Sequence, residues 1–338
     1  MPTISIITPA YNGMPYLKEC VESVLSQDFQ DWEMLIGNNA STDGTQEYLN
    51  SLKDPRIRVF HHTDNLKIYG NLNFLFARVG ASIVQILCAD DYLLPGGLRK
   101  IVAEWSGIAP SVGLIRFRVP SDEVQHLRMS VCREAIPTDK ATLYFFLFGN
   151  LCGNLSNVSF RTEMQRNHGL FRLDLPFAED YRYMAAFAND YEISVSSTWV
   201  HHVRRHEQAA SVYLSRKGEL AIENFAVMQE LQSRLAGQYS NFLLRLHSTL
   251  ACDSQHRRSA LRALVIYRNT DFFRYLKKAH VEHPICLAPW VCWIVFGLTG
   301  GGKFGREVAA RILLKLSNRT TNRTGAQGVD QLGQIRNA

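Results

Sequence analysis

The sequence predicts an α/β chain: a mostly parallel sheet flanked by helices, followed by an all-helical C-terminal region. Three observations carry this. Short apolar runs of strand length recur at 3–8, 32–37, 57–60 and 83–87. Segments with apolar residues at helical spacing lie between them. The connections are short and rich in Asn, Asp, Gly, Ser and Thr. Strand–helix alternation of this kind places crossover helices on both faces of a parallel sheet.

The first run, Thr3-Ile4-Ser5-Ile6-Ile7-Thr8, leads into the turn residues Pro9-Ala10-Tyr11-Asn12-Gly13. Leu17, Cys20, Val21, Val24 and Leu25 then recur at i, i+3, i+4, i+7 and i+8, one face of a helix. The second strand, 32–37, ends in Asn38-Asn39-Ala40-Ser41-Thr42-Asp43-Gly44-Thr45, where Ser41 or Thr42 is suited to cap the helix carrying Tyr48, Leu49 and Leu52. The third strand, 57–60, precedes a polar loop and a helix around 72–79. The fourth, 83–87, ends in Cys88-Ala89-Asp90-Asp91. A further strand is expected at 193–200.

Ligands of such sheets bind beyond the carboxyl ends of the strands. Tyr11, Asn38, Asn39, Asp90 and Asp91 all fall at such ends. Adjacent carboxylates repel each other and call for a cation; hard oxygen ligands suit Mg²⁺ or Mn²⁺, which a diphosphate also needs. A solvated acidic turn is the alternative. The Tyr11 ring suits stacking on a nucleobase, worth ~1–3 kcal/mol per base. Glu179-Asp180 open an apolar-rich helix, where acidic residues are also favoured by the helix dipole.

Six segments, in order, resemble the family 2 inverting glycosyltransferases with the GT-A type nucleotide-sugar-binding fold: 4–13, 23–45, 64–73, 88–98, 175–184 and 204–211. The resemblance spans roughly the first two-thirds of the chain. It implies transfer of a sugar from a nucleoside-diphosphate sugar, UDP-type favoured, to a hydroxyl of a surface-glycan or lipid-linked acceptor. By the same resemblance, Pro9, Ala10, Tyr11, Asn38, Asn39, Lys67, Asn73 and Asp90 contact the nucleotide sugar. Asp90, Asp91 and His206 hold Mg²⁺ or Mn²⁺. Asp180 is the catalytic base, with Glu179 beside it as a supporting or acceptor-orienting group. Arg204 and Arg205 favour a phosphate-rich ligand. The chain departs from the family at Asn38-Asn39, where at least one Asp is usual, and at Cys88, often an acid.

Other motifs point elsewhere only weakly. The Walker phosphate loop, CxxC, HExxH and the processive-synthase QxxRW are missing from the sequence, and the glycine run at 300–302 follows an apolar run without the strand–loop–helix setting of a phosphate-binding loop. Seven scattered cysteines suggest a reducing compartment. A strand beginning by Thr3 leaves no room for a signal peptide. A cytoplasmic protein is therefore expected, with peripheral attachment to the cytoplasmic face of a membrane as an option. A catalytically silent nucleotide-sugar-binding or scaffold protein is the alternative function, and a nucleotidyltransferase a third.

With 338 residues, 46% apolar, the chain can bury one large domain plus an appendage. The expected division is a catalytic domain over 1–212, a helical region over 213–316 and a disordered polar tail over 317–338. An apolar run at 284–298 carries Trp290 and Trp293 and has basic flanks that include Lys277, Lys278, Lys303 and Arg306. It is shorter than the ~20 residues of a spanning helix. It reads either as a helix packed on the catalytic domain or as a membrane-surface contact. The net charge of +6 suits anionic lipid or nucleotide substrates. No nucleic-acid partner is expected.

Overall fold

A computed structural model of the chain describes residues 1–119, 135–206, 219–248, 268 and 311–315. The chain divides into two units, Met1–Tyr213 and Leu214–Ala338.

The first unit is built on a sheet whose strands are β1 (Ile4–Ala10), β2 (Trp32–Asn38), β3 (Ile57–His61), β4 (Ile83–Ile86), β6 (Val112–Arg116), β7 (Ala135–Ile136), β8 (Val158–Arg161) and β9 (Glu192–Val195). Their order is β3-β2-β1-β4-β8-β6-β9-β7. The half formed by β3, β2, β1 and β4 is parallel, with Ile7 paired to Leu35 on one side and Ile86 on the other. β8 runs antiparallel to β4 and β6. A separate two-stranded ribbon pairs β5 (Tyr92–Leu93) with β10 (His201–His202).

Strand alternation assigns the two faces. Ile4, Ile6, Met34 and Ile36 pack with Leu17, Cys20, Val21 and Val24 of α1 (Tyr16–Leu25) and with Leu98, Ile101 and Trp105 of α4 (Gly97–Gly107). The opposite face carries aromatics from α3 (Lys67–Phe76), β8 and α7 (Glu179–Asp190). Phe76 meets Phe160 edge-on at 5.8 Å, and Phe171 stacks on Tyr183 at 4.0 Å. Each such pair adds about 0.5–1.5 kcal/mol to the burial of its area. Further helices are α2 (Thr45–Ser51), α5 (Ala141–Phe148) and α6 (Thr162–His168).

Two expectations need correction. Neither Ser41 nor Thr42 caps α2, which starts at Thr45 after Gly44 at φ +90°. Asp43 does that work: its Oδ1 accepts the Thr45 N–H at 3.1 Å and hydroxyl at 2.6 Å. The helix expected around 72–79 starts earlier, at Lys67, because the turn before it is closed by Asn39 and Asn65.

Order along the sheet fixes where a ligand fits. From β1 the chain steps outward to β2 and β3, then returns to place β4 on β1's other side. The carboxyl ends of β1 and β4 therefore flank the reversal of strand order, where open α/β sheets bind ligands.

In the second unit, α8 (Glu219–Leu235) and α9 (Asn241–Ser248) bury Val227, Met228, Leu231, Leu235 and Leu244. Among the described residues no helix is long and apolar enough to cross a membrane. The apolar run at 284–298, Lys277, Lys278, Lys303, Arg306 and the tail at 317–338 lie outside the described residues.

Candidate active site

At the β4 exit, Cys88, Asp90 and Asp91 bring ligand atoms within 4.8 Å of one another. Asp91 is buried. Its Oδ2 accepts the Ser156 hydroxyl at 2.5 Å and its Oδ1 accepts the Arg204 N–H at 2.9 Å. Burial and the neighbouring Asp90 raise its carboxyl. Two close carboxylates, one held above its usual range by burial and repulsion, are the electrostatic condition that a divalent cation relieves. His206 Nε2 lies 3.2 Å from Asp90 Oδ2, so the last predicted ligand reaches the same place. The Cys88 thiol is driven up by burial and by both aspartates, leaving it neutral. The chemistry of these donors fits a divalent cation.

The β1 and β2 exits are tied together. Asn12, at φ +49°, exchanges hydrogen bonds with Ser41 and Thr42 at 2.9 and 2.8 Å. Asp43 accepts the Met14 N–H at 2.9 Å; burial opposes its ionisation, yet bonds from Thr45 and Met14 hold its carboxyl low. Tyr11 stands 54% exposed at the rim, free to stack. Ala10 is buried and accepts the Asn39 N–H at 2.8 Å.

Several of the expected contact residues also carry internal bonds. Asn38 is fully buried, its amide bonded to His61 Nδ1 at 3.0 Å and to the Ser41 N–H at 3.2 Å. Asn39 accepts the Leu66 N–H at 2.8 Å and donates to Asn65 at 2.8 Å. Asn73 is likewise bonded through both amide atoms to the Phe171 backbone, at 2.8 and 2.9 Å, which pins the loop before α7. Lys67 is exposed at the start of α3, at φ +60°.

Asp180 sits in the first turn of α7. Tyr69 donates to its Oδ1 at 3.2 Å and accepts its N–H at 3.1 Å; Asn150 donates to its Oδ2 at 3.0 Å. Burial lifts this carboxyl to about 6, against bonds from the Tyr181 N–H, Tyr69 and Asn150 that pull it down. Burial also pushes the Tyr69 phenol well above its usual range, so it stays a donor. Of the two places expected for Glu179, supporting or acceptor-orienting, its contacts are those of a supporting group. It is fully buried, gripped by Arg182 at 2.5 Å through both oxygens, and accepts the Arg172 N–H at 2.8 Å. Its charge is neutralised inside the fold.

One loop joins the two acidic centres. Within 149–157, Asn150 holds Asp180 and Ser156 holds Asp91. Chain reach keeps those contacts within on the order of 20 Å, less where the loop turns. The Arg204 guanidinium pairs with Glu19 of α1 and lies 5.0 Å from the Tyr16 and Tyr92 rings. Tyr69, Asn150 and Ser156 were not singled out by the sequence, although Tyr69 lies inside the 64–73 segment.

The mostly parallel sheet flanked by helices, with carboxylates at the β4 exit and Glu179-Asp180 opening α7, is a GT-A type nucleotide-sugar-binding fold. Residues 5–162 match the family described as Glycosyl transferase family 2. It is 37% identical over 101 residues to the putative teichuronic acid biosynthesis glycosyltransferase TuaG of Bacillus subtilis, covering 29% of this chain and 40% of that one. Matches to curated relatives span 58%, 59% and 40% of the relatives' own lengths. The fold resembles the mannosyltransferase PcManGT of Pyrobaculum calidifontis, solved with GDP-Man and Mn²⁺: TM-score 0.59, 17% identity, covering 92% of this chain and 86% of that one. It also resembles S. aureus TarS 1–349, solved with UDP-GlcNAc: TM-score 0.53, 18% identity, 86% and 78% covered.

Proposed function

We propose that this chain transfers a sugar from a nucleoside-diphosphate sugar, UDP-type favoured, to a hydroxyl of a surface-glycan or lipid-linked acceptor, by a single displacement that inverts the anomeric centre. The observation that carries the reading is the 149–157 loop, which bonds Asp180 at one end and Asp91 at the other. It supports two carboxylate centres with different tasks in one site.

Asp180 is suited to act as base. A carboxyl at about 6 is ionised at neutral pH yet more basic than an ordinary aspartate. Each of its oxygens receives one protein hydrogen bond, leaving lone pairs for an incoming hydroxyl. An alcohol is a poor nucleophile, and removal of its proton as the bond forms contributes typically 10²–10⁴-fold. Tyr69 and Asn150 fix the carboxylate plane, and Glu179 with Arg182 sets the turn from which it projects. At the other end, Asp90, Asp91 and His206 would hold Mg²⁺ or Mn²⁺. Such a cation supplies neutralisation of charge on the departing diphosphate. Tyr11 offers its face to the base, while the backbone of Pro9 and Ala10 and the exposed Lys67 border the donor. With Asn38, Asn39 and Asn73 bonded internally, donor recognition rests on stacking and diphosphate contacts more than on amide reading of the base. The 284–298 run would attach the enzyme to a membrane surface, near a lipid-linked acceptor.

The test is a panel of UDP-, GDP- and other nucleotide sugars with Mn²⁺ or with chelator. Cation-dependent hydrolysis or transfer from at least one donor, with an inverted product by proton NMR, is expected. No binding or turnover across the panel, or a retained configuration, overturns the reading.

A further inference from the structure

The strand β10 and the residues after it form a short strap, and its attachments are unusually dense. Val200 O accepts the Leu94 N–H at 2.9 Å, and β10 pairs with β5. His201, fully buried, meets Asn157 Oδ1 at 2.9 Å. Then comes Arg204. Its guanidinium lies between the rings of Tyr16 and Tyr92, 5.0 Å from each, and pairs with Glu19 of α1. The same residue's N–H is bonded to Asp91 Oδ1 at 2.9 Å. Two residues on, His206 packs on Tyr16 with ring centroids 4.6 Å apart and reaches Asp90 at 3.2 Å.

Resting on the proposed cation site, we infer that Arg204 is a positioning residue for it: clamped by Tyr16, Tyr92 and Glu19, it holds the strap so that its own N–H orients Asp91 and His206 meets Asp90. The clamp uses what only arginine offers. A planar guanidinium can stack on two rings and pair with a carboxylate at once, whereas a compact ammonium has neither the planar faces nor the fork to do all three together. Without the clamp, the strap past His202 has no side-chain anchor among these contacts except His206 itself. Groups that orient metal ligands from outside typically account for 10–100-fold in metal affinity.

The sign of the effect separates this role from a simple charge effect. Arg204 is a cation near a cation site, so as a mere neighbouring charge its removal would tighten Mn²⁺ binding. As a positioning residue its removal weakens it. Mn²⁺ alone, titrated into the full chain and followed by loss of the free-ion electron paramagnetic resonance signal, reads this directly. Arg204→Ala is expected to weaken Mn²⁺ at least ~10-fold. Arg204→Lys, which keeps the charge, and Tyr16→Leu, which alters none, should each lose several-fold, so the test survives if the alanine variant does not fold. Asp91→Asn is the reference variant. Unchanged or tighter binding in the Arg204 and Tyr16 variants, with binding lost in Asp91→Asn, overturns the inference while the cation site stands. Undiminished binding in Asp91→Asn removes the site and the inference together.

Discussion

Tyr69 and Asp180 hold each other twice: the phenol donates to Oδ1 at 3.2 Å and accepts the aspartate's own N–H at 3.1 Å. The pair bridges α3 and α7 and fixes a carboxylate that burial has made more basic. Removing the hydroxyl should therefore change both rate and pH response. Tyr69→Phe is expected to reduce transfer about tenfold, in line with a hydrogen bond to a charged group of ~1.5–3 kcal/mol. It should also move the acid limb of the pH–rate profile upward, because that bond favours the ionised form. A profile unmoved by the substitution would show that Tyr69 does not touch the reacting base.

In the parent enzyme, proton acceptance requires ionised Asp180. With its carboxyl at about 6, kcat should be flat above roughly pH 7 and fall tenfold per unit below about pH 6. An acid limb centred near 4, measured with a saturating donor, would mean that another carboxylate titrates.

The same elevation has a consequence for stability. Because the folded pKa lies above that of the unfolded chain, ionised Asp180 opposes folding at every pH above about 6. The penalty shrinks as pH falls from about 6 toward 4, where the group is protonated in both states. Asp180→Asn should thus be more stable than the parent at pH 8, by up to ~3 kcal/mol, with the difference closing by pH 4. Denaturant melts at the two pH values measure this; equal or lower stability of the variant at pH 8 would contradict it.

Parallel strands and their helices are legible in the sequence because each strand is a short apolar run between turn residues and each helix keeps its period. The other half is less so: β9 falls at the start of the strand expected at 193–200, but β8, only Val158–Arg161, is too short for its Val-Ser-Phe-Arg alternation to stand out. In the site, the paired carboxylates at 90–91 stand out by their chemistry, and His206 only by the resemblance. Their supporters do not: Tyr69, Asn150 and Ser156 lie 111, 30 and 65 residues from the aspartates they hold, and only the fold makes them neighbours. The internal bonds of Asn38, Asn39 and Asn73 are equally hidden, since a group able to read a base is also able to close a loop.

Gly37 illustrates a requirement that only the folded chain reveals. A Cβ there would lie 1.9 Å from Asn71 Oδ1, and Asn71 donates to the Gly37 carbonyl at 2.7 Å. Gly37→Ala should destabilise by on the order of 1–3 kcal/mol through overpacking. An unchanged melting temperature would show that Asn71 moves aside freely.

At the other acidic centre, a cation that binds only the folded chain should raise the melting temperature with concentration. Mn²⁺ is expected to do so in the parent and not in Asp91→Ala, which should fold but not turn over. Full activity of Asp91→Ala in chelator would remove the cation from the account.

The most direct measurement is single-turnover transfer by Asp180→Asn at saturating Mn²⁺ and whichever nucleotide sugar the panel identifies. Asparagine keeps the shape and can still bond Tyr69, but it cannot take the acceptor's proton. Donor affinity should stay near that of the parent while transfer falls by at least ~10². Transfer within a few-fold of the parent would show that Asp180 is not the base and that the displacement proposed for this site is wrong.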